Sequence, residues 1–155
     1  MKSLVVYYTR SQTTKKVGEA IAKALVCNSE EIIDTANRKG LFGWLRSGRD
    51  AMRKRTTTIL PTKFNPIDYD LVIMGTPIWG SLPTPAIRTY IEQHKLDFKK
   101  VAFFSTSGST NVGSAFAELT LICGKSPQGV LGLKQDEVKK SDTTEKINQF
   151  ISGLS

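Results

Sequence analysis

Cysteine, histidine and acidic residues are all scarce in this chain. Its two cysteines, Cys27 and Cys123, lie far apart and match no metal-ligand or dithiol spacing. Two buried free thiols in a reducing cytoplasm is the reading that follows. Neither cysteine has an arginine six residues on, which removes the Cys-x5-Arg loop of a phosphatase. The single histidine, His94, ends an apolar-periodic segment and reads as a partner of the helix C-terminus or of solvent. No nucleophile, general base or metal cluster is apparent. Tyr7-Tyr8-Thr9 lacks the acidic residues that a receiver domain places after its first strand. A Gly-x-Gly-x-x-Gly turn and a P-loop lysine are missing too. No apolar run approaches the ~18 residues that span a bilayer, and Met1-Lys2-Ser3 enters the first strand with no secretory signal. These absences make a cytoplasmic chain without a membrane span the expectation.

What is present alternates regularly. Leu4–Tyr8 is an apolar run rich in β-branched and aromatic residues, expected as a buried strand. Lys15–Val26 repeats apolar residues at helical spacing. Glu30–Asp34 reads as a short second strand and Leu41–Lys54 as a second helix. Thr58–Asp68, with Pro61 and Pro66, reads as an extended connection. The third strand is expected at Tyr69–Met74, the third helix at Pro85–His94, and the fourth strand at Val101–Ser105. Then follow a helix at Val112–Ile122, a weaker fifth strand at Val130–Lys134, and a last helix at Asp142–Ile151. Leu133–Lys139 also reads as a segment with an unpaired strand edge. The 155 residues favour one domain, 1–155. Strands alternating with helices of 10–15 residues imply a three-layer α/β fold with a parallel sheet covered on both faces. Five strands with right-handed crossovers favour a doubly wound five-stranded parallel sheet, order 2-1-3-4-5.

In that order the sheet reverses direction between the first and third strands, and ligands bind beyond the carboxyl ends there. Three chemically unusual loops meet at that point. The first, Thr9-Arg10-Ser11-Gln12-Thr13-Thr14, carries four hydroxyls ahead of a helix whose first amides have no intrahelical partner. It suits a phosphate, and equally simple N-capping by a Ser/Thr cluster. The second, Thr76–Thr84, sets Trp79 beside Gly80 between prolines, a rigid mount for a flat aromatic that stacks on a flat ligand or packs in the loop. The third, Ser105–Gly113, is small and polar throughout, so its backbone can approach a ligand or merely cap the next helix.

Charge is concentrated as well. Arg38, Lys39, Arg46, Arg49, Arg53, Lys54 and Arg55 are offset only by Asp50, so this segment supplies +6 of the net +8. With Leu41, Trp44, Leu45, Gly48, Ala51 and Met52 at helical spacing it reads as a basic amphipathic helix. Such a helix packs on the sheet with its charges in water, or docks an acidic partner or anionic substrate. Nucleic acid ranks last, since no base-reading motif accompanies the charge.

Together the three loops resemble those of the flavodoxin family, over nearly the whole chain. Thr9, Ser11 and Thr14 match the hydroxyl positions of the family's phosphate loop, with Gln12 in the place of its glycine. Gly75-Thr76-Pro77-Ile78-Trp79-Gly80 resembles the second flavin loop. The resemblance implies non-covalent flavin mononucleotide (FMN) and a flavodoxin-like fold. It implies phosphate contacts from Thr9, Ser11 and Thr14 and from the amides of Arg10, Ser11, Gln12, Thr13 and Thr14. Thr76, Pro77 and Ile78 would line the ribityl chain and ring edge, Trp79 would flank the ring, and Gly80 would sit near N5. Ser107, Gly108, Ser109, Thr110 and Asn111 would bond the pyrimidine edge. The implied function is a low-molecular-weight electron carrier. A quinone-type reductase fed by a nicotinamide donor is the alternative, and a non-redox binding module with a degenerate flavin site the second. The expected partner is a redox protein, acidic in character, docking near the flavin or helix 41–54. Carboxylates are absent from all three loops, so the reduction potential is expected to be less negative than that of an acidic flavodoxin.

Overall fold

The first apolar run forms β1, Ser3–Tyr7, buried at every position because it has a strand on either side. It pairs in parallel with β2 (Asn28–Glu31) and with β3 (Leu71–Trp79). Beyond β3 lie β5 (Lys100–Ser107) and β6 (Val130–Lys134), both parallel. The order is β2-β1-β3-β5-β6, with a two-residue strand β4 (Leu82–Pro83) paired only to β3. Leaving out that short strand, this is the expected doubly wound order. The structure, a computed structural model, describes residues 1–109 and 111–154.

Successive β1 side chains point to opposite faces, as the pleat requires. Leu4 and Val6 join Val72, Met74, Val101 and Phe103 under α3 (Pro85–His94) and α4 (Gly113–Cys123). Val5 and Tyr7 join Leu71, Ile73, Ala102 and Phe104 under α1 (Thr13–Leu25), α5 (Gln135–Lys140) and α6 (Thr144–Ser152). These two apolar layers make the sheet's near-continuous hydrophobic strands necessary. Among the described residues no helix is long and apolar enough to cross a membrane. Cys27 is half-buried and Cys123 buried, both free.

Several boundaries differ from expectation for identifiable reasons. The second strand is Asn28–Glu31, not Glu30–Asp34, because Leu4 registers with Asn28. Past it, Ile32 still donates to the Tyr7 carbonyl (2.8 Å), and Asp34 instead bridges to Ile59. The Thr58–Asp68 connection ends in a single 3-10 turn at Pro66–Asp68, opened by proline and capped by the Asn65 carboxamide. Beyond β6 the chain turns helical at Gln135, so Leu133–Lys139 is not one strand. The last helix starts at Thr144, where the Asp142 carboxylate accepts the Thr144 amide at 2.9 Å.

The second helix, α2 (Gly40–Met52), is where the expectation and the structure part. Its buried positions are Gly43, Ser47, Asp50 and Ala51. At 100° per residue these form one face, and it is not the apolar one. Leu41, Phe42, Trp44, Leu45 and Met52 are instead 52–86 % exposed. The small face wins because the helix backbone lies close to the chain preceding it. A Cβ on Gly43 would fall 2.2 Å from the Arg38 carbonyl carbon.

Candidate functional site

The first loop turns sharply at Gln12, whose φ of 69° lies in the left-handed region that glycine accepts freely. Helix α1 begins at the next residue, two positions before the expected start, and no side chain caps it. Its leading amides therefore retain their donors for another acceptor. Thr13 and Thr14 are buried. The Thr14 hydroxyl is bonded to that of Thr106 at 2.8 Å, tying the first loop to the end of β5. Ser11 and Thr13 hydroxyls lie 3.3 Å apart. The Thr9 hydroxyl is buried and has no hydrogen-bond partner. A buried polar atom without a partner costs about 1–3 kcal/mol, and a bound anion removes that cost. The Arg10 guanidinium is already committed: Nε donates to the Arg38 carbonyl (3.0 Å) and Nη2 to that of Gly40 (3.5 Å).

The second loop is a β-hairpin. β3 runs on through Thr76, Pro77, Ile78 and Trp79, and the chain reverses at Gly80 and Ser81, with φ of 57° and 66°. Two positive φ values make the tight primed turn that matches strand twist, and glycine carries one of them without strain. Thr76 and Pro77 are buried, and Ile78 and Trp79 half-buried. The Thr76 hydroxyl donates to the Pro77 carbonyl (2.8 Å) and accepts the Thr84 amide (3.2 Å), so it locks the hairpin base. The Thr76 hydroxyl is thus engaged within the hairpin, and both Thr76 and Pro77 are buried at its base. The Trp79 ring meets the edge of Tyr8 at 5.7 Å, and the Arg38 guanidinium lies 5.6 Å from the indole centroid. Burial pushes the Tyr8 phenol up to about 12, with Asp34 adding to the rise, so it stays neutral.

In the third loop, β5 extends to Ser107, which places Thr106 and Ser107 in buried strand. The Ser107 hydroxyl bonds to the Ser109 carbonyl. Asn111 donates its amide to the Ser109 hydroxyl (3.2 Å), while Gly108, Ser109 and Asn111 are exposed. Thr110 lies outside the described residues. The carboxyl ends of β1, β3 and β5 thereby gather Thr9, Thr14, Thr76 and Thr106, of which composition had not pointed to Thr106.

Sequence reasoning also missed two buried ionic clusters. Arg38 is 5 % exposed; its Nε meets Asp34 at 2.6 Å and its Nη1 meets Asp50 at 3.1 Å. Burial disfavours its charge, but the hydrogen bonds it donates to Asp34 and Asp50, and their negative charges, outweigh that and hold its pKa above the ordinary arginine value. Asp50 also has Arg46, Arg49 and Arg55 within 3.5–3.7 Å. The one available signal was that Asp50 is the lone acid in a basic segment. The second cluster joins α3 to α4: Arg88 meets Glu118 at 2.9 Å, and Lys54, just after α2, meets it at 3.0 Å. Burial raises the Glu118 pKa, but hydrogen bonds from Lys54 and Arg88 carry it below the ordinary value.

Beside the hairpin, the exposed apolar stripe of α2 faces an open groove of about 740 Å³, floored by Trp44, Leu45, Gly48 and Met52 and by Ile78, Trp79 and Gly80. Along a neighbouring side of α2, a polar cavity of about 660 Å³ is lined by Arg46, Arg49, Asp50 and Arg55 and by residues 35–38 and 56–58.

Comparisons with known proteins agree with this fold. The family model described as Flavodoxin matches residues 2–151. No curated protein matches the sequence. A putative flavoprotein from Bacteroides uniformis is similar at 26 % identity and a TM-score of 0.82, covering 97 % of each chain. A flavoprotein from Lactobacillus acidophilus, solved in complex with FMN, is 26 % identical with a TM-score of 0.75, over 90 % of this chain and 97 % of the other. Oxidised flavodoxin 1 from Bacillus cereus, at 17 % identity and a TM-score of 0.57, shares the fold over the full length of both.

Proposed function

The chain belongs to the flavodoxin family, and from that premise we propose that it binds FMN without a covalent bond and serves as a low-molecular-weight electron carrier. The observation that carries this reading is the first loop. Gln12 replaces the family's glycine, yet its backbone takes the left-handed turn that glycine would supply. The first turn of α1 has no side-chain cap, and the buried Thr9 hydroxyl of the same loop has no partner. Thr9, Ser11 and the amides of residues 12–14 would hold the phosphate. Trp79, backed by Arg38 and Tyr8, would flank the ring, with Gly80 beside it. The exposed backbone at Gly108, Ser109 and Asn111 would bond its polar edge. The flavin supplies one- or two-electron redox chemistry, and the protein binds, orients and tunes it.

A reductase is the second reading, favoured by one observation: no aromatic side chain stands between Ser105 and Val112 to cover the other ring face. An open face admits a flat oxidised substrate. The deciding experiment loads purified protein with FMN and desalts it. Retained flavin absorbance with quenched fluorescence supports the reading; complete loss of the flavin refutes it and leaves a non-redox binding module. Turnover of a quinone with NADH or NADPH, without any added protein, would favour the reductase over the carrier.

A further inference from the structure

We propose that α2 is the docking element for an acidic redox protein, a reading that rests on the carrier function for the partner's redox character. A helix that covers a sheet ordinarily turns its apolar stripe inward. Here α2 does the reverse. Leu41, Phe42, Trp44, Leu45 and Met52 face outward, beside Arg46, Arg49 and Arg53. This burial pattern is costly for a free surface and suits one that is covered. Its composition is that of a protein interface core, with aromatic residues, methionine and arginine over lysine.

The surroundings select the kind of partner. Arg38 is buried and neutralised by Asp34 and Asp50, but Arg46 and Arg49 remain about half exposed, and no carboxylate among the described residues lies within 4 Å of Arg53. With Arg38 drawn inside, the segment's exposed cations include Lys39, Arg46, Arg49, Arg53 and Arg55, an outward-facing basic surface that calls for acidic groups. The polar cavity of about 660 Å³ presents Arg46, Arg49 and Arg55, three guanidinium groups around the single carboxylate of Asp50, to a partner's acidic side chain. The groove on the adjoining side, which shares Arg49 with the cavity, admits an apolar anchor against Trp44 and Trp79. These two sides are turned roughly 100° apart about the helix axis. Both are concave, which suits the protruding side chains of a protein partner better than the flat face of a bilayer. Because Trp79 and Gly80 belong both to the groove and to the hairpin, a partner seated there lies against the proposed flavin loop.

The test uses an acidic plant-type [2Fe–2S] ferredoxin as probe, with binding followed by isothermal titration calorimetry on the purified protein after incubation with FMN and desalting, whether or not the flavin is retained. We expect measurable binding at about 20 mM salt that weakens at least about tenfold by 300 mM. The Arg49→Glu/Arg53→Glu double variant is expected to lose about tenfold or more, the Arg49→Lys/Arg53→Lys variant much less, and Trp44→Ala about tenfold with unchanged salt dependence. Thermal unfolding checks that each variant is folded. Equal binding by the charge-reversed variant, or none by the wild type at low salt, overturns the proposal. Sedimentation of the wild type with phosphatidylserine vesicles in the absence of ferredoxin binding overturns it in favour of a lipid surface. The readout does not depend on flavin. Charge-dependent ferredoxin binding by a chain that retains no FMN would sink the flavin reading alone, while FMN retention without binding would sink the docking surface alone.

Discussion

Helices α1 and α2 are each thirteen residues long, and each carries an apolar stripe beside a charged one. α1 buries Val17, Gly18, Ile21 and Ala22 against the sheet. α2 buries Gly43, Ser47, Asp50 and Ala51, and leaves its large apolar side chains in solvent. The stripe in α1 is core, whereas the α2 stripe is surface. The helix that buries polar groups does so because Asp50 neutralises Arg38, a charge that has itself been drawn inside to meet Asp34 and to cover Trp79. Periodicity thus reports that a helix has two faces. It does not report which face the rest of the chain reaches first.

Replacing Asp50 by alanine should have the largest effect, since it leaves the buried Arg38 guanidinium with Asp34 alone and takes the counter-ion from Arg46, Arg49 and Arg55. We expect a loss of about 3–5 kcal/mol in urea unfolding. In α1, Ile21→Ala creates a cavity beneath a fully buried side chain and should cost about 3 kcal/mol by the same measurement. At the C-terminal end of α2 the contrast becomes pH-dependent. Glu118 has a folded pKa below its unfolded one, so its contribution is fully present above the unfolded carboxyl pKa of about 4.3 and is lost as pH falls through the folded value. Urea midpoints measured from pH 6 to pH 3 should fall for the wild type more steeply than for Glu118→Gln. The two helix starts differ as well: Gln12 pays for its left-handed turn, while Lys39 is extended (φ −82°). Gln12→Gly should therefore raise stability by about 0.5–1 kcal/mol, read as a higher melting temperature. The smallest effect is expected at Leu45→Ala, within about 0.5 kcal/mol, because that side chain is already half exposed. A cost near that of Ile21→Ala would mean that α2 packs as α1 does, and the comparison would fail.

Much of the site was readable in the residues because its elements are local. Thr9–Thr14 follows a buried strand and opens a helix, and Gly80 marks a reversal of the chain. Less readable were the contacts that join these loops. The bond between Thr14 and Thr106 spans 92 positions, and the stacking of Arg38 on Trp79 depends on how α2 lies. Thr76 illustrates the same limit: its loop position suggested a ligand contact, and the hairpin uses its hydroxyl internally.

By itself the sequence determined the alternation of strands and helices, the parallel order of the sheet, the position of three loops at its carboxyl edge and the concentration of positive charge in one segment. All of these follow from local periodicity, turn chemistry and composition. Only the tertiary structure decided that the second loop is a hairpin, that Arg38 is an internal cation shared by Asp34 and Asp50, and that α2 turns its aromatic stripe outward. Those outcomes depend on groups distant in sequence competing for one neighbour. The close approach of the Gly43 backbone to Arg38 settled that competition in favour of a small, polar buried face.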